Sequence, residues 1–174
     1  AYEQYGPDCV HRFNGQFGLA IWDRRREELF LARDRAGIRP LFWLMHRGAL
    51  LFASEMKAFL EVPELSLSLD PQALAQTVTF WSPLPPRTPF KEVRELEPGT
   101  HLLYSAARGT IAKKTFWRMP FADKDGVDRR PLGEIKEEFR ALLIDAARIR
   151  LRADVPVGAY LSGGLDSSTI TAII

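Results

Sequence analysis

Val155-Pro156-Val157-Gly158-Ala159-Tyr160-Leu161-Ser162-Gly163-Gly164-Leu165-Asp166-Ser167-Ser168 is the stretch from which the rest of the chain is read. Val155, Val157, Tyr160 and Leu161 form a short apolar run that reads as a buried strand. Ser162-Gly163-Gly164 breaks it. Ile170, Ala172, Ile173 and Ile174 then read as the first turns of a buried helix. Glycines lack Cβ, so the turn can take positive φ and its backbone can approach an anion closely. The first N–H groups of a helix lack internal partners, and the helix dipole adds partial positive charge there. With the hydroxyls of Ser162, Ser167 and Ser168, the stretch forms a cradle for phosphate or pyrophosphate. A hydrogen bond to a charged group is worth ~1.5–3 kcal/mol, so four or five would hold a pyrophosphate firmly. A Walker A loop is excluded, because no Lys follows the glycines. Asp166 would repel phosphates unless a cation lay between, and it reads as a Mg²⁺ ligand. The bland alternative is a Gly-Ser turn without a ligand.

The chain has 174 residues, 46% of them hydrophobic and 26% charged, which is ordinary for a soluble globular protein. A net charge of +2 is too small to argue for nucleic acid or a membrane surface. No apolar run reads as a membrane span or signal peptide. The lone Cys9 excludes an internal disulfide framework and fits a reducing, cytoplasmic setting. It reads as a small buried hydrophobe, with no His or Asn pattern beside it to mark a nucleophile. His46 and His101 read as structural, and no zinc-spaced cluster is present. Ala1 and the unfinished helix pattern at Ile174 lead us to expect an internal piece of a longer protein.

Ala1 to Phe13 starts helical, with a break at Gly6-Pro7. Gln16–Trp22 reads as a strand covered on both faces, and Glu28–Arg33 as its hairpin partner. Arg24-Arg25-Arg26 between them reads as a solvated tip. Leu41–Met45 and Leu50–Ala53 form a second hairpin, and Ser54-Glu55 caps a short helix through Leu60. Asp70 caps another helix, with Pro71 at its first position and Ala73, Leu74 and Val78 as its apolar stripe. Pro83, Pro85, Pro86 and Pro89 keep the following segment extended. Glu97-Pro98-Gly99-Thr100 is a tight turn, and His101–Tyr104 and Thr110–Trp117 are late strands. Residues 1–119 thus read as an α+β layered domain whose strands mostly pair locally. The polar segment 120–131 reads as a linker. Residues 132–174 begin a second domain with an amphipathic helix. Ile135, Phe139, Leu142, Leu143, Ala146 and Leu151 lie on one face, and acids gather early with arginines late.

The loop Leu-Ser-Gly-Gly-Leu-Asp-Ser-Ser resembles the pyrophosphate loop of the ATP pyrophosphatase superfamily. With Leu151–Gly158 before it, the segment is similar to glutamine-hydrolysing asparagine synthetases. Asn14–Asp23, Leu31–Leu41, Phe52–Ala58, Pro85–Phe90 and Leu96–Thr100 resemble the later part of a glutamine amidotransferase domain of the N-terminal-nucleophile type. Gly18 and Ala36 depart slightly from larger residues there. The resemblance runs colinearly over nearly the whole chain. It implies an α+β amidotransferase part followed by the first helix-strand-helix of an α/β ATP-pyrophosphatase domain.

The reaction so implied has two halves. Glutamine is hydrolysed to release ammonia, and ATP activates the aspartate side chain as an acyl-adenylate with loss of pyrophosphate. Ammonia then gives asparagine. Ser162, Gly163, Gly164, Ser167 and Ser168 would hold the pyrophosphate end of ATP, Leu161 would touch adenosine, and Asp166 would position Mg²⁺. Expected partners are aspartate, glutamine and ATP, with neither nucleic acid nor membrane, and a homodimer as the candidate assembly. The resemblance also implies a glutaminase thiol at a chain N-terminus. Ala1 cannot supply it and Cys9 sits at no matching position, so the fragment alone is expected to be inactive. The rival readings are another acyl-adenylating enzyme of this architecture, such as a β-lactam synthetase, and a non-catalytic interaction module.

Overall fold

The computed structural model describes residues 1–121 and 126–174. The chain forms two compact units, Ala1–Pro120 and Phe121–Ile174, treated separately below.

Seven strands build unit one: β1 (Gly18–Asp23), β2 (Glu28–Arg33), β3 (Phe42–His46), β4 (Ala49–Ala53), β5 (Arg94–Glu95), β6 (Thr100–Ser105) and β7 (Thr110–Thr115). They form two antiparallel sheets, ordered β1-β2-β6-β7 and β4-β3-β5. Both predicted hairpins are present, as β1–β2 and β3–β4, and the two late strands pair as β6–β7. The central pairing β2–β6 is long-range, with Leu29 opposite Tyr104 and Ala32 opposite His101, so the expectation of mostly local pairing misses the ladder that closes the first sheet.

Alternation along β2 separates two cores. Leu29 and Leu31 join Leu102, Tyr104, Leu41 and Leu96 between the sheets, with Trp43 and Leu50 packed against them. Phe30 and Ala32 point the other way, onto Cys9 and Val10. Those two belong to an N-terminal layer of α1 (Tyr2–Tyr5) and a 3₁₀ helix over Gly6–Arg12. The outer face of the second sheet is covered by Phe59 and Val93 against Leu44. Phe59 sits on a 3₁₀ helix, Met56–Glu61, which has no side-chain cap. The expected Ser54-Glu55 cap is not formed, because the Glu55 carboxylate pairs with Lys57 at 2.6 Å instead.

β1 overturns another expectation. It is an edge strand, with Gly18, Ala20 and Trp22 exposed rather than covered on both faces. Ala20 and Trp22 lie opposite Leu31 and Leu29, so they face the second sheet, but that sheet does not cover them. Trp22 is 48% exposed. A seam of about 660 Å³ remains there, lined by Ala20, Trp22, Leu50, Phe52 and Tyr104.

Two side chains from β2 and its end fix the loop at residues 34–40. Arg33 is buried and donates to the carbonyls of Gly37, Arg39 and Leu96 and to Glu95 Oε1. Asp34, also buried, accepts from the backbone N–H groups of Phe17, Ile38 and Arg39. A buried charge persists only when so partnered. Gly99 has φ +60°, and a Cβ there would lie 2.4 Å from the Trp117 carbonyl oxygen, so the turn requires glycine.

α2 (Pro71–Phe80) starts as expected, with Asp70 accepting from the N–H groups of Gln72 and Ala73. Of its expected stripe only Ala73 is buried, while Leu74 and Val78 are exposed. The helix seats through its smallest side chain.

Unit two contains α3 (Leu132–Arg150) and α4 (Leu165–Ile173). Arg130 bridges Asp128 and Glu138 at the start of α3. Of the expected linker 120–131, residues 122–125 lie outside the described residues. The predicted buried strand between the helices is not formed. Val155–Leu161 is irregular and exposed, because the described residues of unit two offer no strand to complete its hydrogen bonds.

Candidate functional site

α4 begins directly after Gly164, and none of its residues is buried, so the helix expected to be buried through Ile170, Ala172, Ile173 and Ile174 is not. Gly163 has φ +83° and nothing within 4 Å of where a Cβ would stand. It turns the chain so that Gly164 enters the helix as N-cap without a side-chain cap bond. The first bond of the helix runs from Ser168 N–H to the Gly164 carbonyl at 3.0 Å. Among the described residues, none accepts from the backbone N–H groups of Gly163, Gly164, Leu165, Asp166 or Ser167. Five donors therefore remain for an outside acceptor.

The hydroxyls converge on the same corner. Ser162 Oγ and Ser167 Oγ are 2.9 Å apart, and Ser167 Oγ donates to the Gly164 carbonyl at 3.1 Å. This brings together Ser162, Gly163, Gly164 and Ser167. Ser168 stands on the next helical position, exposed. Asp166 is exposed in the first turn of α4 and forms no ion pair or hydrogen bond among the described residues. Its carboxylate is thus free for a cation. Among the described residues no group of three or more His, Cys, Asp or Glu could hold a metal. A cation at this corner would take Asp166 plus oxygens of its own ligand, which is the donor set Mg²⁺ accepts. Leu161, 62% exposed, is at the entry to the turn. A largely apolar cavity of about 540 Å³ lies between α3 and α4, bordered by Leu143, Ala147, Tyr160, Asp166, Ser167 and Ile170.

No comparable catalytic group stands in unit one. Cys9 is fully buried, and burial pushes its thiol above the ordinary value, so it is a poor thiolate source. His101 is buried in β6, as a structural histidine should be. From sequence, the second strand ends at Arg33 and neither Arg33 nor Asp34 is singled out, yet both are buried. A signal existed in the Arg-Asp dipeptide that ends an otherwise apolar strand.

The glutamine amidotransferase domain model matches residues 1–117. The chain belongs to this family. The asparagine synthase model matches residues 138–174 of this amidotransferase-family chain, the segment that holds the α4 loop. An amidase of Penicillium rubens, chyE, is 37% identical over 99% of the chain and 25% of its own length. A putative glutamine-hydrolysing asparagine synthetase of Methanocaldococcus jannaschii is 35% identical over 99% of the chain and 33% of its own length. Asparagine synthetase 3 of Bacillus subtilis, also named glutamine-hydrolysing, is 36% identical over 99% and 27%. The chain therefore spans about a quarter to a third of the length of these curated relatives. Among the described residues no helix is long and apolar enough to cross a membrane.

Proposed function

We propose that this chain is part of a glutamine-dependent amide synthetase that activates a carboxylate with ATP. The five unengaged amides at the start of α4, with the hydroxyls beside them, carry this reading. They favour a pyrophosphate held by Ser162, Gly163, Gly164, Ser167 and Ser168, with Leu161 against the adenosine part.

The carboxylate oxygen of the substrate attacks the α-phosphorus of ATP, and the bond to the bridging oxygen breaks to release pyrophosphate. The α4 amides stabilise charge that grows on this leaving group. Asp166 would hold Mg²⁺, which supplies further charge neutralisation there when bound. Ammonia then attacks the acyl carbon, AMP leaves, and an amide results. For aspartate the product is asparagine. Glutamine would supply the ammonia in the parent protein. The buried Cys9 is no nucleophile for that step. The domain limits we propose are 1–119 and 132–174, joined by 120–131. A reducing cytoplasm suits the lone buried thiol.

The amidase name of the Penicillium relative favours a second reading, in which the same chemistry acts on a carboxylate other than aspartate. Pyrophosphate exchange into ATP by the full-length parent distinguishes the two. Exchange that depends on aspartate supports asparagine formation, and exchange that ignores aspartate but follows another acid supports the second reading. Asp166→Ala should abolish exchange and spare glutamate release. Exchange at the parental rate in that variant removes the role given to Asp166.

A further inference from the structure

A ladder of five rings fastens the N-terminal layer of unit one to the outer face of its first sheet. Tyr2 of α1 stands 5.2 Å from Phe30 on β2, and Phe30 stands 5.3 Å from His101 on β6. His101 stacks on Phe116, just past β7, at 6.3 Å and 13°. Phe116 meets His11 of the 3₁₀ helix edge-on at 5.8 Å. The outer rungs belong to the layer and the inner rungs to the sheet. The central rung, His101, is 6% exposed, and its Nδ1 has no hydrogen-bond partner.

A neutral imidazole tolerates that position, but an imidazolium would bury a charge with one N–H unpaired. Of the ionisable groups around it, Lys114 and His11 oppose the charge and Asp8 favours it, while burial opposes it most. Lys114 on β7 is the cross-strand neighbour of His101. His11 and Cys9 come from the 3₁₀ helix, and Tyr2 comes from α1. β2 presents Phe30 and Ala32 to this layer, neither of which ionises. The acid Asp8 is exposed and stands 3.7 Å from Lys114. The phenyl faces could attract a cation, but Phe30 is tilted by 52° and Phe116 is at the limit of useful range. Burial first, and Lys114 second, hold His101 below its ordinary value of 6.5.

We propose that His101 is an acid-sensitive latch, whose protonation releases residues 2–12 from the sheet and uncovers Cys9. His101 takes the proton more readily with the layer released than with it seated. The latch is therefore intact above pH 6.5 and weakens as the pH falls below it. The opening equilibrium rises by up to about tenfold per pH unit until the seated imidazole itself ionises.

The test measures reaction of Cys9 with 4,4′-dithiodipyridine in the whole chain, divided at each pH by the rate with glutathione. Between pH 7.5 and 5.5 the ratio should rise by roughly tenfold or less, in line with the linkage above. His11→Asn should keep that rise, and His101→Phe should remove it. A flat ratio in the unaltered chain, or an equal rise in His101→Phe, overturns the proposal. If His101→Phe does not fold, NMR titration of His101 in the unaltered chain decides instead. A midpoint below 6.5 supports the latch, and a midpoint at or above 6.5 overturns it.

Discussion

Unit one and unit two are both rich in apolar side chains, yet they bury them very differently. Unit one contains buried cores on both faces of β2 and on the outer face of β3. Among the described residues of unit two, Ala147 alone is buried, while Phe139, Leu142 and Leu165 stand in the open. The difference is one of partners. In unit one most apolar faces meet another layer, the rims at β1 and α2 excepted, whereas most large apolar side chains of α3 and α4 are exposed. Stability should therefore reside in unit one, while the candidate corner of unit two takes its shape from local turn geometry.

The largest effect should come from Phe30→Ala, which empties the core beneath the N-terminal layer and should cost about 3–5 kcal/mol. All four tryptophans lie in unit one, so urea unfolding followed by their fluorescence reads it directly. Gly99→Ala should follow at about 2–5 kcal/mol, from positive φ and collision with the Trp117 carbonyl. An unchanged unfolding midpoint in either variant would break the contrast between the units.

Asp70 gives a smaller, pH-dependent effect. Burial raises its carboxyl, but Arg87 and the amides of Gln72 and Ala73 outweigh that and leave it below the ordinary 3.8. A lowered carboxyl stabilises the fold above that value and ceases to do so as pH falls through its folded value. Asp70→Asn should therefore be less stable at neutral pH, with the gap closing below pH 3.8 in the same fluorescence assay. A constant gap from pH 7 to pH 3 would count against the ion pair. At the small end, Leu142→Ser on the exposed face of α3 should stay within about 0.5 kcal/mol when unfolding is followed by helical circular dichroism, because the tryptophans report on unit one. A larger loss would mean that unit two buries that face in solution.

The legible parts of the fold were those set by local chemistry. Asp70-Pro71 announced a helix start, Pro98-Gly99 a turn, and the Gly163-Gly164 pair the entry to α4. The strand expected at Val155–Leu161 failed because an apolar run becomes a strand only beside another strand. The coverage of β1 failed for a related reason, since sequence does not show how far the opposing sheet extends. At the candidate site, the glycine turn and the helix start that follows it were readable. The pairing of Ser162 with Ser167 was not, because it depends on the angle at which the turn delivers Ser162.

The two sheets of unit one are riveted at both ends of β2. Arg33 reaches Glu95 on β5 at one end. At the other, Tyr104, the partner of Leu29, donates its hydroxyl to the Gly48 carbonyl between β3 and β4. Two such rivets should resist sliding of the sheets more than splay of the β1 and β4 margins. Breathing of this sandwich should accordingly resemble a book opened along its spine, with Trp22 and Phe52 on the facing pages.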